Sequence, residues 1–201
     1  MRPYVRAVIG AGVAVATPLF SAVTATVATA QSPDAIRSKV TTIDLKTCKL
    51  LRKHEDGNSW ICPGHGGNKL YVAEGDLRFF VAAGPKPEKT LAAEQTLRPF
   101  NTIFKGRANR APVEWRFGPA PATQPYATIV RYFTDLDGTK GEVIVVSKVS
   151  AKESCHIAMI DALANPNAIE LARSIADERA AAFDCSKAEA KAEGKAGKSP
   201  M

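Results

Sequence analysis

Four cysteines constrain this chain more than any other feature. Cys48, Cys62, Cys155 and Cys185 are all it has in 201 residues. An even count in a chain that reaches an oxidising compartment predicts two disulfides, with three connectivities open. The first thirty residues supply the compartment: "MRPYVR" carries Arg2 and Arg6, an uncharged Ala- and Val-rich run follows, and Ala28-Thr29-Ala30 offers a small-x-small cleavage site before Gln31. This is the order of a secretory signal peptide. The run is too weakly apolar for a spanning helix, which wants about 20 strongly apolar residues. The expectation is a signal peptide over residues 1–30, a periplasmic or secreted location, and no transmembrane segment after cleavage.

Pairing between sequence neighbours is favoured. "KLLRKHEDGNSWI" lies between Cys48 and Cys62. A hairpin loop over residues 53–57, with Gly57 in the left-handed region, sets the two cysteines opposite one another at bridging distance. Cys155 with Cys185 then follows. A metal site using His54, His65 and the nearby cysteines is the alternative, but no C-x-x-C occurs and "HED" and "PGHGG" are loop and turn material. No motif calls for a metal or another cofactor.

Runs of β-forming residues bounded by turn signals predict strands near 40–48, 59–62, 69–73, 77–82, 112–117, 126–134, 141–149 and 155–160. "LAAEQTLRPF" reads as one short helix stopped by Pro99. A clear helix comes last, with Asn165 as N-cap, Pro166 at its first position and Ile169, Ala172, Ile175, Ala176 and Phe183 as a narrow apolar stripe. Strands followed by one helix predict an α+β fold: a mostly antiparallel sheet packed by the C-terminal helix and stapled by the disulfides, forming a single domain over 31–185. Residues 186–201 hold Lys, Ala, Gly and little to bury, so this tail is expected to be disordered.

"YFTDLDGTKGEVIVV" poses a sharper question. DLDGT resembles the opening of the active site in haloacid-dehalogenase-like enzymes, where the first Asp is the nucleophile and the second the acid/base, at the end of the first strand of a parallel sheet. An apolar residue normally follows the Thr there. Here Lys140 and Gly141 follow, and only about 60 residues remain for a fold that needs further strand-helix units. A hairpin with Asp137-Gly138 as a two-residue turn accounts for the same letters: Asp135 faces Lys140, Tyr132 faces Val143 and Val130 faces Val145.

Charge excludes one class of function. Without Arg2, Arg6 and the tail, 21 Lys and Arg stand against 18 Asp and Glu. This near balance gives no reason to expect nucleic-acid binding. Three strands carry an arginine beside aromatics, Arg78 in "LRFF", Arg116 in "WRF" and Arg131 in "VRYF". On one face they would make a row of donors for an anionic envelope component; satisfied by Asp76, Glu114 and Glu142 they are structural. His156, in the apolar "CHIAMI", reads as a hydrogen-bonded core residue, and a hydrolase site around it with Ser154 is the rival reading.

Over residues from about Ile43 to Cys185, the blocks "GDLRFFV", "VEWRFGP", "YATIVRYF", "CHIAMIDA" and "ELARSIADERAAAFDC" resemble a group of exported alphaproteobacterial proteins of unknown function. The resemblance implies the periplasm and carries over no activity or catalytic residue. The chain therefore reads as an exported, non-catalytic binding or envelope-accessory protein, partnered by an anionic envelope component or an envelope protein. The alternative is an envelope hydrolase with its site around His156.

Overall fold

The computed structural model describes residues 36–201 apart from Arg107, so the expected signal peptide over 1–30 lies outside the described residues. The strands are β1 (Arg37–Asp44), β2 (Lys49–His54), β3 (Gly57–Pro63), β4 (Lys69–Gly75), β5 (Arg78–Gly84), β6 (Phe100–Thr102), β7 (Arg110–Phe117), β8 (Pro125–Leu136), β9 (Thr139–Val149) and β10 (Ser154–Asp161). The helix α1 (Ala168–Arg179) and a short strand β11 (Lys191–Glu193) complete the chain.

These strands form two sheets. The smaller runs β2-β3-β4-β5, and the larger runs β1-β7-β8-β9-β10-β11 with β6 paired to the end of β8. All pairings are antiparallel except β10 with β11, which makes the larger sheet mixed. The expected mostly antiparallel sheet is thus two sheets face to face, and strands rather than helix dominate the fold. One core lies between them, with Leu70, Val72 and Val81 from the smaller sheet meeting Ile43, Val113, Trp115, Tyr132 and Val145 from the larger. The other face of the larger sheet buries Ile129, Ile144, Val146, Ile157 and Ile160 against Ala172, Ile175 and Ala176 of α1. Being covered on both faces, β9 reads "VIVV" without alternation. The single side chain that fills most space is Trp115, fully buried, its Nε1 donating to Thr41 Oγ1 at 2.8 Å.

Local signals place several elements. In the β8–β9 hairpin, Asp137 (φ 50°) and Gly138 (φ 84°) form the left-handed two-residue turn. Asp135 pairs with Lys140, Tyr132 with Val143 and Val130 with Val145, as the sequence predicts. The disulfides are Cys48–Cys62 and Cys155–Cys185. The first joins the start of β2 to β3, and the second ties β10 to the chain beyond α1.

Five expectations need correction. The hairpin loop expected over residues 53–57 is a two-residue turn at 55–56, with Gly57 already in β3 opposite His54 of β2. The strand expected at 40–48 is the end of β1, in one sheet, and a turn leading to β2 in the other. Asp44 makes that break, its carboxylate accepting the Lys46 N–H at 3.1 Å and its carbonyl the Thr47 N–H at 2.9 Å. "LAAEQTLRPF" forms no α-helix; 3₁₀ turns lie at Pro87–Lys89 and Leu91–Ala93. The helix begins at Ala168, with Asn167 at its N-cap, because the Asn165 side-chain oxygen that would cap it is occupied elsewhere, accepting the Lys195 N–H at 3.0 Å. Lastly, the tail is ordered. Its three-residue β11 adds to β10, and beyond it the Lys198 and Ser199 N–H groups and the Ser199 hydroxyl donate to the Asp161 carboxylate at 2.6–2.8 Å. These hydrogen bonds hold it, and Met201 packs against the core between the sheets. Gly141 leaves the room, since a β-carbon there would sit 2.7 Å from Ser199 Cβ and Pro200 Cδ.

Candidate functional site

The arginines singled out in the sequence do not assemble into a row of free donors. Arg78 lies on the smaller sheet, Arg116 and Arg131 on the larger. Each meets a carboxylate. Arg78 pairs with Asp76, donates from Nε to the Arg98 carbonyl at 2.9 Å and stands 5.6 Å from the centre of the Phe100 ring. Arg131 pairs with Glu142 at 2.7 Å.

Arg116 belongs to a closed network beneath α1. It donates bidentately to Asp177 at 2.9 and 2.6 Å and to Glu114 at 3.1 Å, Arg173 grips the same Glu114 through two bonds of 2.9 Å, and the Tyr126 hydroxyl donates to Asp177 at 2.6 Å. Burial disfavours the charge on Arg116, but the Asp177 bonds outweigh it and hold its pKa above the ordinary value. Two cations and two anions are mutually satisfied, so this cluster fastens the helix to β7 and leaves no charge for a ligand.

The first DLDGT carboxylate is likewise structural. Asp135 accepts from the Lys140 ammonium and from the Gly138 N–H at 2.9 Å. The lysine bond, more than the backbone one, keeps its pKa below the usual range.

A different place gathers chemistry. An open groove of about 600 Å³ runs between β5, the connection after the 3₁₀ turns, β10 and the tail. Arg78 and Phe80 come from β5, Glu94 and Arg98 from the connection, His156 and Met159 from β10, and Glu189 from the tail. On a regular strand, residues 156 and 159 would point to opposite faces. A bulge between His156 and Ala158 sets both toward the groove while Ile157 and Ile160 stay against the helix. The His156 N–H, which faces no strand there, donates to Gln95 Oε1 at 2.7 Å.

His156 is 3% exposed. Burial pushes its pKa down to about 4, against a weaker upward pull from a hydrogen bond to the Val81 backbone. The imidazole is therefore neutral near pH 7. Its Nε2 has no hydrogen-bond partner among the described residues. A neutral imidazole carries one N–H and one lone pair, so the unpartnered Nε2 leaves one hydrogen-bonding group of the ring unmet. Above it, Arg98, Glu94 and Glu189 are exposed and in no ion pair among the described residues. Ser154 does not join His156 as a nucleophile, because its fully buried hydroxyl donates to the Lys148 carbonyl at 2.8 Å. The sequence points to His156 only as one polar letter in an apolar strand; the bulge and the approach of residues 94–98, which make the groove, leave no local signal. No protein-family model, no curated protein and no solved structure matches this chain.

Proposed function

We propose that this chain is an exported periplasmic binding protein that accessorises the cell envelope without catalysis, and that the His156 groove is its ligand site. The observation that carries the reading is the buried, neutral His156 lining that groove, its Nε2 without a hydrogen-bond partner among the described residues. An unsatisfied polar atom costs free energy that a hydrogen-bonding ligand returns. Phe80 and Met159 offer apolar contact, Arg98 a bidentate donor for a carboxylate, and Glu94 and Glu189 acceptors for an ammonium. A ligand with both kinds of charge and an amide N–H fits this set, and peptide-bearing envelope fragments have that chemistry. The two closed disulfides suit an oxidising compartment, and among the described residues no helix is long and apolar enough to cross a membrane.

The test is calorimetric titration of the chain from Gln31 with purified muropeptides, wild type against Arg98→Gln and His156→Gln. Both substitutions should weaken binding at least about tenfold, the scale of one charge-assisted bond. Absence of binding, or equal binding by all three proteins, overturns the site. The rival hydrolase reading is favoured by His156 lying in a concave surface. Chromatography of the same mixtures distinguishes it, since a hydrolase shortens the fragments and a binding protein returns them unchanged.

A further inference from the structure

Away from the groove, the net charge of this protein is concentrated in one place. Residues 36–54 hold six Lys and Arg against one Asp, whereas residues 55–201 hold nineteen against eighteen Asp and Glu. The positive stretch comprises β1, a turn and β2, which are edge strands of the two different sheets. In β2, Lys49, Leu50, Leu51, Arg52 and Lys53 are all exposed. Lys39, Lys46, Lys49, Arg52 and Lys53 make no ion pair among the described residues. The apolar side chains among them are also in water: Val40 is 56% exposed, Leu50 49% and Leu51 44%.

We infer that the β2 edge is a docking strand for an extended, acidic segment of a partner protein, which adds to the smaller sheet as a fifth strand. Three features select that occupant. The outer side of β2 is a ladder of backbone N–H and C=O groups with no strand beside it among the described residues, which an extended chain satisfies and a lipid surface does not. Lysine on an edge ordinarily guards against pairing. Here the guard has one sign only, with no acidic residue between Leu45 and His54, so it repels a second copy of this chain and attracts a strand bearing carboxylates. Leu51, the extra residue where the β2–β3 register shifts, stands with Leu50 as the apolar contact that charge alone does not provide.

The experiment uses the chain from Gln31 and a soluble peptide of about ten residues alternating Glu with Val, long enough to span an edge strand. A second peptide has the same charge, with Pro replacing every second Val so that it cannot pair as a strand. The expected result is saturable binding of the first peptide, protection of the residue 49–53 amides from hydrogen exchange, and at least about tenfold weaker binding by the Lys49→Gln/Arg52→Gln/Lys53→Gln variant. These positions are exposed, so the variant should keep the wild-type melting temperature. If it does not, Leu51→Ser, which leaves the charges in place, should weaken binding in its stead. Binding of the Pro peptide as tightly as the first, protection elsewhere, or no binding overturns the inference. So does binding to vesicles of anionic phospholipid with none to the peptide, which would assign the surface to membranes. None of these outcomes depends on the His156 groove.

Discussion

Lowering the pH from 7.5 to 5 should destabilise this fold by about 2 kcal/mol, and His156 should be the cause. Unfolded, its imidazole takes up a proton from about pH 6.5 downward. Folded, burial holds that uptake back to about pH 4. Between these values the unfolded state binds more protons, so stability falls as the pH falls; the contribution is complete above 6.5 and spent below 4. Integrating the linkage gives a loss of about 2 kcal/mol at pH 5 and about 3 kcal/mol at pH 4. At pH 5 this corresponds to a melting temperature lower by about 4–8 °C for a chain of this size. Asp44, Asp135, Asp161 and Asp184 have pKa values below the ordinary range, so they add their losses only as the pH approaches 4 and under. Urea unfolding with the disulfides intact, followed by tryptophan fluorescence at pH 7.5, 6 and 5, isolates the term. His156→Gln should flatten the profile whatever its absolute stability. Equal slopes for wild type and variant over that range would refute the burial argument, and with it the neutral imidazole in the groove.

Other contacts in the fold set further outcomes. Asp177→Ala leaves the Arg116 guanidinium buried without its bidentate partner and should cost about 3 kcal/mol in urea unfolding, whereas Arg131→Gln, which breaks a half-exposed pair, should cost under about 1 kcal/mol. Asp135→Asn should likewise cost at most about 1 kcal/mol, and neither wild type nor variant should show magnesium-dependent phosphatase activity in a chromogenic phosphate-ester assay. Deleting residues 190–201 removes three of the donors on the buried Asp161 carboxylate and should cost about 2–3 kcal/mol; identical calorimetric melts for full-length and shortened protein would mean that the tail does not brace the fold.

What could be read from the letters was local. Asp137-Gly138 sets a turn by backbone conformation alone, and the turn fixes every pairing up to Val130 with Val145. The Cys48–Cys62 bridge was legible although its hairpin was drawn with the wrong loop: the turn is at residues 55–56, and the bulge at Leu51 restores the expected pairing of Leu50 with Trp60 and Lys49 with Ile61 that leads to the two cysteines. The apolar stripe through Ala172, Ile175 and Ala176 identified the helix that covers the sheet. Its start was misplaced because the Asn165 side chain answers to Lys195, thirty residues away.

What tertiary structure decided is non-local. Arg116 looked available because Asp177 lies 61 residues downstream and meets it only once α1 has docked. The tail has a composition with little to bury, yet it is held by backbone pairing and by a carboxylate at the end of β10, interactions that hydrophobic patterning does not register. The groove draws its residues from four segments and depends on a bulge that reverses side-chain direction between His156 and Met159. The charge of residues 36–54 is plain in the letters, but that it lies along the edge strands of two sheets is a property of strand order. Sequence fixes turns, alternation and the residues that can cross-link because those depend on neighbours along the chain. Partners, cavities and edges depend on which distant strands meet, and that is settled by burial summed over the whole fold.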